Sequence, residues 1–297
     1  MSGARTLPTP ISLSPGQIAV RRALRHGGIW IGGLIITAII LAAIFAPLLT
    51  PHDPTLQDLA RRYIPPVWAE KGSWEHIFGT DNLGRDYLAR LLYGARISLV
   101  LGFCTVLISG AIGTAMGVAA GYWGGWPDLI INFVITIRLT LPVVLVALVV
   151  VALIGNSLWL LILVIGLLLW DRFAIVVRAA TQQVASREYI ISARAIGSST
   201  ARILFREILP NIIGPLIVVA SIEVAHAILL EAALSFLGLG VQPPQVSWGL
   251  MVAEAKGQML FRPWMIAIPG AALVLLIFSV NLVGDALRDV TTPEGKA

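Results

Sequence analysis

Six apolar stretches, each near the roughly twenty residues that a helix needs to cross a bilayer, dominate this chain: 27–49, 97–121, 129–154, 158–177, 212–230 and 264–283. Hydrocarbon offers no water to a backbone N–H or C=O, so a crossing segment must close its hydrogen bonds as a helix or within a sealed barrel. Barrel strands alternate apolar and polar residues, and residues 141–154 run apolar without alternation. The expected fold is therefore all-α: a polytopic membrane protein with six transmembrane helices. Composition agrees. Asp, Glu, Lys and Arg make up 12% of the 297 residues and apolar types 57%, against about 25% charged in a soluble domain. So little charge cannot cover a water-facing surface, and disordered chains are polar. A soluble enzyme and a disordered protein are both excluded.

The six runs divide the chain into a tail (1–26), a first span (27–49), a long polar segment (50–96), a five-span core (97–284) holding a second polar loop (181–210), and a short tail (285–297). Arg21, Arg22 and Arg25 precede the first run, which is too long for the apolar core of a cleaved signal peptide and reads as an anchor. With both termini inside, the inner segments carry twelve Lys and Arg and seven acidic residues, and the outer ones eight of each. Positive residues favour the cytoplasmic side, so both termini are expected there. The same bias explains the formal net charge of +5. No basic stripe interleaved with aromatics suggests nucleic acid. Cys104 stands alone, clusters of the CxxC kind are absent and there are four histidines, so no metal site is expected.

Charges within spans are costly and face a partner or a cavity. Glu223 falls near the middle of the fifth span, with His226 three residues on and on the same helix face. The pair suggests either a polar patch on a translocation path or a buried structural pair. Arg138 reads as snorkelling or paired, and Asp171, Arg172 and Arg178 as anchors at the inner end of the fourth span. The glycines between 110 and 117 suggest close helix packing.

The second polar loop has a helix–break–helix pattern. Ile190, Ala193, Ala195 and Ile196 form a short apolar face, Gly197 is placed to end that helix, and Ser198, Ser199 and Thr200 can cap the next, which runs to Pro210. A short helix held out from a membrane bundle suits either a groove on a soluble partner or the lipid surface. In the first polar loop, a segment rich in proline leads to Gly79-Thr80-Asp81-Asn82-Leu83-Gly84-Arg85-Asp86, and an amphipathic helix over 87–96 leads into the second span. The stretch 238–244, rich in glycine and proline, cannot be regular helix and is expected to fold back outside the fifth span.

These motifs resemble a family. Ala193, Gly197 and Leu209-Pro210 match the loop signature of membrane subunits in ATP-driven importers that use periplasmic binding proteins; Ile191 and Ser192 stand at its acidic and first alanine positions, and Glu188 lies three residues before Ile191. The 79–86 motif, Tyr93-Gly94-Ala95-Arg96, Leu141-Pro142, Glu231-Ala232-Ala233-Leu234-Ser235, Gln242-Pro243-Pro244, Ser247-Trp248-Gly249 and the 281–289 tail are similar, in order, to the C-type permeases of the dipeptide/oligopeptide/nickel family. The resemblance spans about residues 30–292.

It implies the type I ABC importer transmembrane fold in a bacterial inner membrane. It also implies a paralogous permease as heterodimer partner, two ABC ATPase subunits and a periplasmic substrate-binding protein. The cargo is di- or oligopeptide, with nickel chelates, glutathione or another small solute as the alternative. Residues Ser192, Ala193, Arg194, Ala195, Ile196, Gly197, Ser198 and Ser199 correspond to the helix that couples to an ATPase. Glu223 and His226 become candidates for the translocation path. Asp81, Arg85, Asp86, Gln242, Pro243 and Pro244 become candidates for a periplasmic gate or docking surface. No catalytic residue and no cofactor in this chain are expected: there is no GxxxxGK[ST] cradle, and ATP and magnesium belong to the partner subunits. A secondary transporter would call for broken helices in both halves, and a membrane enzyme for a HExxH or an activated nucleophile; neither pattern is evident in the sequence.

Overall fold

The computed structural model describes residues 23–291. The proline-rich part of the N-terminal tail and the last six residues lie outside the described residues. Helix α1 (Gly27–Ile44) is followed by the polar segment, then by α2 (Tyr87–Trp123), α3 (Gly125–Thr140), α4 (Val143–Ile154), α5 (Leu158–Leu168), α6 (Trp170–Ala185), α7 (Glu188–Ala195), α8 (Leu209–Phe236), α9 (Trp248–Ala255) and α10 (Trp264–Thr291). Five rods are long and apolar enough to span a membrane, and α3 with α4, bent by 84° at the break between them, pass the same test only as a pair. The six expected runs are all present, but most boundaries move: the fifth span forms one rod from Thr200 to Phe236, passing through Pro210 where the preceding helix was expected to end, and the sixth continues to Thr291. The amphipathic helix and the second span are one 37-residue helix. The fourth span extends to Ala185, interrupted at Leu169, and the third is broken rather than straight.

Helix α2 is central to the assembly because it carries glycines where neighbours must approach. A Cβ on Gly113 would lie 2.3 Å from the carbonyl oxygen of Trp170, one on Gly117 2.7 Å from that of Ala174, and one on Gly121 2.7 Å from that of Arg178. A glycine every fourth residue keeps one helix face bare, so α6 packs backbone against backbone along it. Gly110, three residues earlier, faces the same helix more loosely, 3.4 Å from the ring of Phe173. The rod α5–α6 is the most enclosed, with 61% of its most apolar window buried. Leu161, Ile162 and Ile165 pack there with Leu101, Ala227, Leu234 and Val241. Cys104 joins this packing at its margin.

The segment 50–86 forms a plug over one end of the bundle. At the other end α7 projects as a knob. Helix α2 runs from plug to knob. Helix α10 starts beside the plug, where the Tyr87 hydroxyl donates to the carbonyl of Met265 at 2.5 Å, and runs the opposite way to bring Asp289 within 3.3 Å of His26. Both ends of the described chain therefore sit at the knob end. Residues 237–247 fold back as expected, burying Val241 and Val246. Gly240 is pressed so closely on Ser235 that a Cβ would lie 1.8 Å from its Oγ.

Candidate functional site

The plug is built by its own motif. Gly79 (φ +78°) and Gly84 (φ +75°) adopt left-handed backbone, and a Cβ on either would strike the carbonyl of Ile64 or Asp58, which only glycine permits. Thr80 accepts from Ile64 N at 2.9 Å and donates to the Arg61 carbonyl at 2.5 Å. Asp81 Oδ1 accepts from Leu83 N at 2.8 Å and Arg85 N at 3.0 Å, and its Oδ2 holds Arg85 Nε at 2.6 Å together with Arg90. Both arginines reach Glu254 of α9, at 3.2 Å from Arg85 and 2.7 Å from Arg90. Asp86 caps α2, accepting from Ala89 N at 2.7 Å.

Three residues expected at a periplasmic gate or docking surface are buried in this network: Asp81, Arg85 and Asp86 are 1%, 6% and 4% exposed, their charges engaged within the plug and with α2 and α9. Of the expected outer surface, Gln242 is half-buried and Pro243 and Pro244 are exposed, with Gln245 beside them.

The adjoining motifs are likewise internal. Glu231, buried, accepts from the hydroxyls of Ser235 at 2.7 Å and Ser247 at 2.8 Å. Ser247 also caps α9 through Leu250 N at 3.0 Å, and the Trp248 indole donates to the carbonyl of Leu91 at 2.8 Å. Gly249 leaves room for Glu231 Oε2, which would stand 2.6 Å from a Cβ.

Halfway along the bundle two helix breaks meet a cluster of charge. Leu141 and Pro142 separate α3 from α4, and Leu169 separates α5 from α6. A break at membrane depth frees carbonyls that need a donor. Arg138 Nε supplies one to Leu168 O at 2.9 Å and stands 3.6 Å from Asp171. One step away, Arg172 Nη1 lies 3.0 Å from His226 Nδ1 and 3.4 Å from Glu223 Oε1, with His226 Nδ1 3.2 Å from the same oxygen. Glu223 is fully buried, and its Oε2 has no hydrogen-bond partner among the described residues. Arg138, Asp171, Arg172 and His226 line a cavity of about 280 Å³ whose remaining wall is aliphatic.

Because α5–α6 runs on to Ala185, Asp171 and Arg172, expected as anchors at the inner end of the fourth span, stand midway along this rod. Arg178 pairs with Asp128, its Nη2 2.7 Å from Oδ2, tying α6 to the start of α3. The Arg172 partnership was not legible beforehand, since spacing along one helix can suggest Glu223 with His226 but says nothing of a neighbouring rod.

The knob forms as its sequence requires. Gly197 (φ +82°) ends α7, with Ser198 N bonded to Ala193 O at 3.0 Å and Gly197 N to Arg194 O at 3.0 Å, the paired bonds of a Schellman cap. Ser199 then caps the next turn through Arg202 N at 3.4 Å. A π-helical stretch, Ile203–Ile208, leads into α8. Ile190 is fully buried against Val184, Ile203 and Ile208, and the Arg194 guanidinium lies 4.3 Å from the centre of the Tyr122 ring, a cation–π contact with the end of α2. Ser192, Arg194, Ala195, Ile196, Gly197 and Ser199 are exposed, while Ala193 and Ser198 are half-buried.

Comparison with known proteins places this architecture. Residues 113–294 match the family described as binding-protein-dependent transport system inner membrane component, and residues 14–66 match the N-terminal TM domain of oligopeptide transport permease C. The dipeptide transport system permease protein DppC of Haemophilus influenzae is 40% identical over 92% of both chains. The di/tripeptide transport system permease protein DppC of Pseudomonas aeruginosa is 39% identical over 90% of this chain and 88% of its own. A putative peptide permease of Brucella suis is 38% identical over 97% and 94%. Among solved structures, a chain of the inward-facing MetNI methionine ABC transporter superposes with a TM-score of 0.56 at 18% identity, covering 68% of this chain and 96% of that one; it shares the fold. A multi-pass helical bundle with this match belongs to the family of binding-protein-dependent transport system inner membrane components, the permeases of ABC importers.

Proposed function

We propose that this chain carries di- or oligopeptides across a bacterial inner membrane, as half of a heterodimeric pore with a paralogous permease. In this reading two ATPase subunits bind ATP and magnesium beneath it, and a periplasmic binding protein delivers cargo from above. This chain supplies no catalytic group and hydrolyses nothing itself. The plug end faces the periplasm and both termini face the cytoplasm. The peptide assignment is supported by the names of relatives that align along nearly the whole chain; a nickel chelate, glutathione or another small solute is the alternative.

The observation that carries the coupling role is the exposure of Ile191 and Ile196, 56% and 83%, on a short capped helix beyond the end of the spans. Exposed aliphatics on a rigid projection suit burial in a partner's cleft. Ile190 and Arg194 anchor the same helix to α2, α6 and the stretch before α8, so a push on the knob reaches three rods at once. Such a bistable bundle responds to ATP because the closed and open ATPase dimers favour different positions of the knob. Within the bundle, Arg172 and His226 border the cavity at the helix breaks, with Glu223 buried behind them, and the three form our candidate for the translocation path. Gln242, Pro243 and Pro244, on the plug end, are the candidate docking surface.

The broken third span is a feature of ion-driven carriers as well. One experiment separates the two: the four-subunit importer and its binding protein are reconstituted in liposomes with labelled peptide. Uptake should need ATP, should stop in Ile191→Asp/Ile196→Asp, and should leave the variant chain folded. Uptake driven by an ion gradient without ATPases, or undiminished in the variant, would overturn the assignment.

A further inference from the structure

The plug brings together two histidines beside Asp86, His76 at 2.8 Å and His52 at 3.7 Å from its Oδ2. His52 follows the first span, and His76 lies in the turn before the Gly79–Asp86 motif. Their rings stand 4.9 Å apart, centre to centre. A nitrogen from each and a carboxylate oxygen of Glu75 all lie within 4.8 Å of one another. His76 is 5% exposed; its Nδ1 is held by Asp86 Oδ2 at 2.8 Å, and its buried Nε2 has no hydrogen-bond partner among the described residues. A buried nitrogen without a partner is costly. A histidine whose other nitrogen is engaged by a carboxylate is also the arrangement that orients an imidazole toward a metal.

The surroundings favour a cation. The adjoining cavity, about 290 Å³, is lined by Asp53, Asp58, Glu75 and Asp86 with both histidines, and among the described residues Arg61 is the one cation on its wall. Arg61 pairs with Glu75 and with Asp58, the latter at 3.3 Å.

We propose that His52, His76 and Glu75 bind one divalent cation of the zinc type, with Asp86 orienting His76. Two imidazoles and a carboxylate suit zinc better than calcium or magnesium, which prefer oxygen. Tetrahedral zinc holds its ligand atoms about 3.3 Å apart, from bonds near 2.0–2.1 Å, so the site closes on binding. Glu75 is exposed and His52 half-buried, so both can move while His76 stays fixed. Arg61 then releases Glu75 and keeps Asp58. The ion would fasten the exit of α1 to the plug and, through Asp86, to the start of α2. The sequence hides the site because its ligands belong to no short spacing motif; the turn over 73–76 and the plug fold bring them together.

The test is zinc titration by calorimetry into the purified full-length chain with its affinity tag removed, followed by the absorption spectrum with cobalt(II). One zinc per chain, a nitrogen-containing tetrahedral cobalt spectrum and a rise in Tm on zinc addition are expected. His52→Ala and Glu75→Gln, both at positions more accessible than His76, should each weaken binding at least tenfold. Arg61→Gln, which releases Glu75, should tighten it severalfold. Absence of uptake, or uptake indifferent to His52→Ala and Glu75→Gln, would overturn the proposal, the second result marking scattered surface binding.

Discussion

Nη1 of Arg90 lies 2.7 Å from Oε2 of Glu254, joining the first turn of α2 to a short helix laid across the same end of the bundle. Arg90 is 1% exposed and also holds Asp81, so the plug motif, the start of α2 and the distant α9 share one charge cluster. Removing one partner from such a cluster strands the others, at about 3–5 kcal/mol. Asp81→Asn leaves two buried arginines with Glu254 alone and should lower Tm sharply. Glu254→Gln, at a partly exposed position that leaves Asp81 in place, should cost less. Thermal unfolding of the detergent-solubilised variants measures the order; equal losses would show that Asp81 is not the hub.

The glycine seam between α2 and α6 offers a second check. Alanine at Gly113 places a methyl against the Trp170 backbone, which cannot rotate away. Overpacking of this kind costs about 1–3 kcal/mol, and more where backbone is the obstacle. Gly110→Ala meets the Phe173 ring at 3.4 Å, ordinary contact, and should be neutral. Comparing Tm of the two variants tests whether the seam holds these rods together.

Arg172, Glu223 and His226 pose a different question, whether they serve structure or passage. Arg172→Ala leaves Glu223 buried with His226 as its remaining ring partner, and should reduce both stability and uptake. Arg172→Ala/Glu223→Gln removes the stranded charge and should recover Tm. Uptake that stays low in this stable double variant identifies the cluster with the path; full recovery of uptake would make the pair structural.

At the knob, Gly197→Val forces a β-branched residue into left-handed backbone, at about 1–2 kcal/mol or more. Since Ile190 still anchors α7, the bundle should keep its helical circular dichroism. Pull-down of the ATPases should fall with the loss of the cap. Undiminished capture would mean that the loop's backbone shape is immaterial to docking.

The chain alone determined the six crossings, the Gly197 cap, the serine cap after it and the return of 238–244 toward the bundle. Each follows from local rules: a backbone in hydrocarbon must bond within its own helix, and a helix end needs a left-handed residue or a side-chain cap. Its motifs were also enough to suggest the family. Tertiary structure decided what those rules cannot reach. It buried Asp81, Arg85 and Asp86 within the plug, bent the third span by 84°, moved Asp171 and Arg172 to mid-rod, and set Arg172 on Glu223 and His52 beside His76. The physical reason is common to all of these. A charge or a ring nitrogen is satisfied by whatever lies within about 3 Å, and in a bundle of long rods that neighbour comes from another helix or loop, at a separation in sequence that no local spacing records.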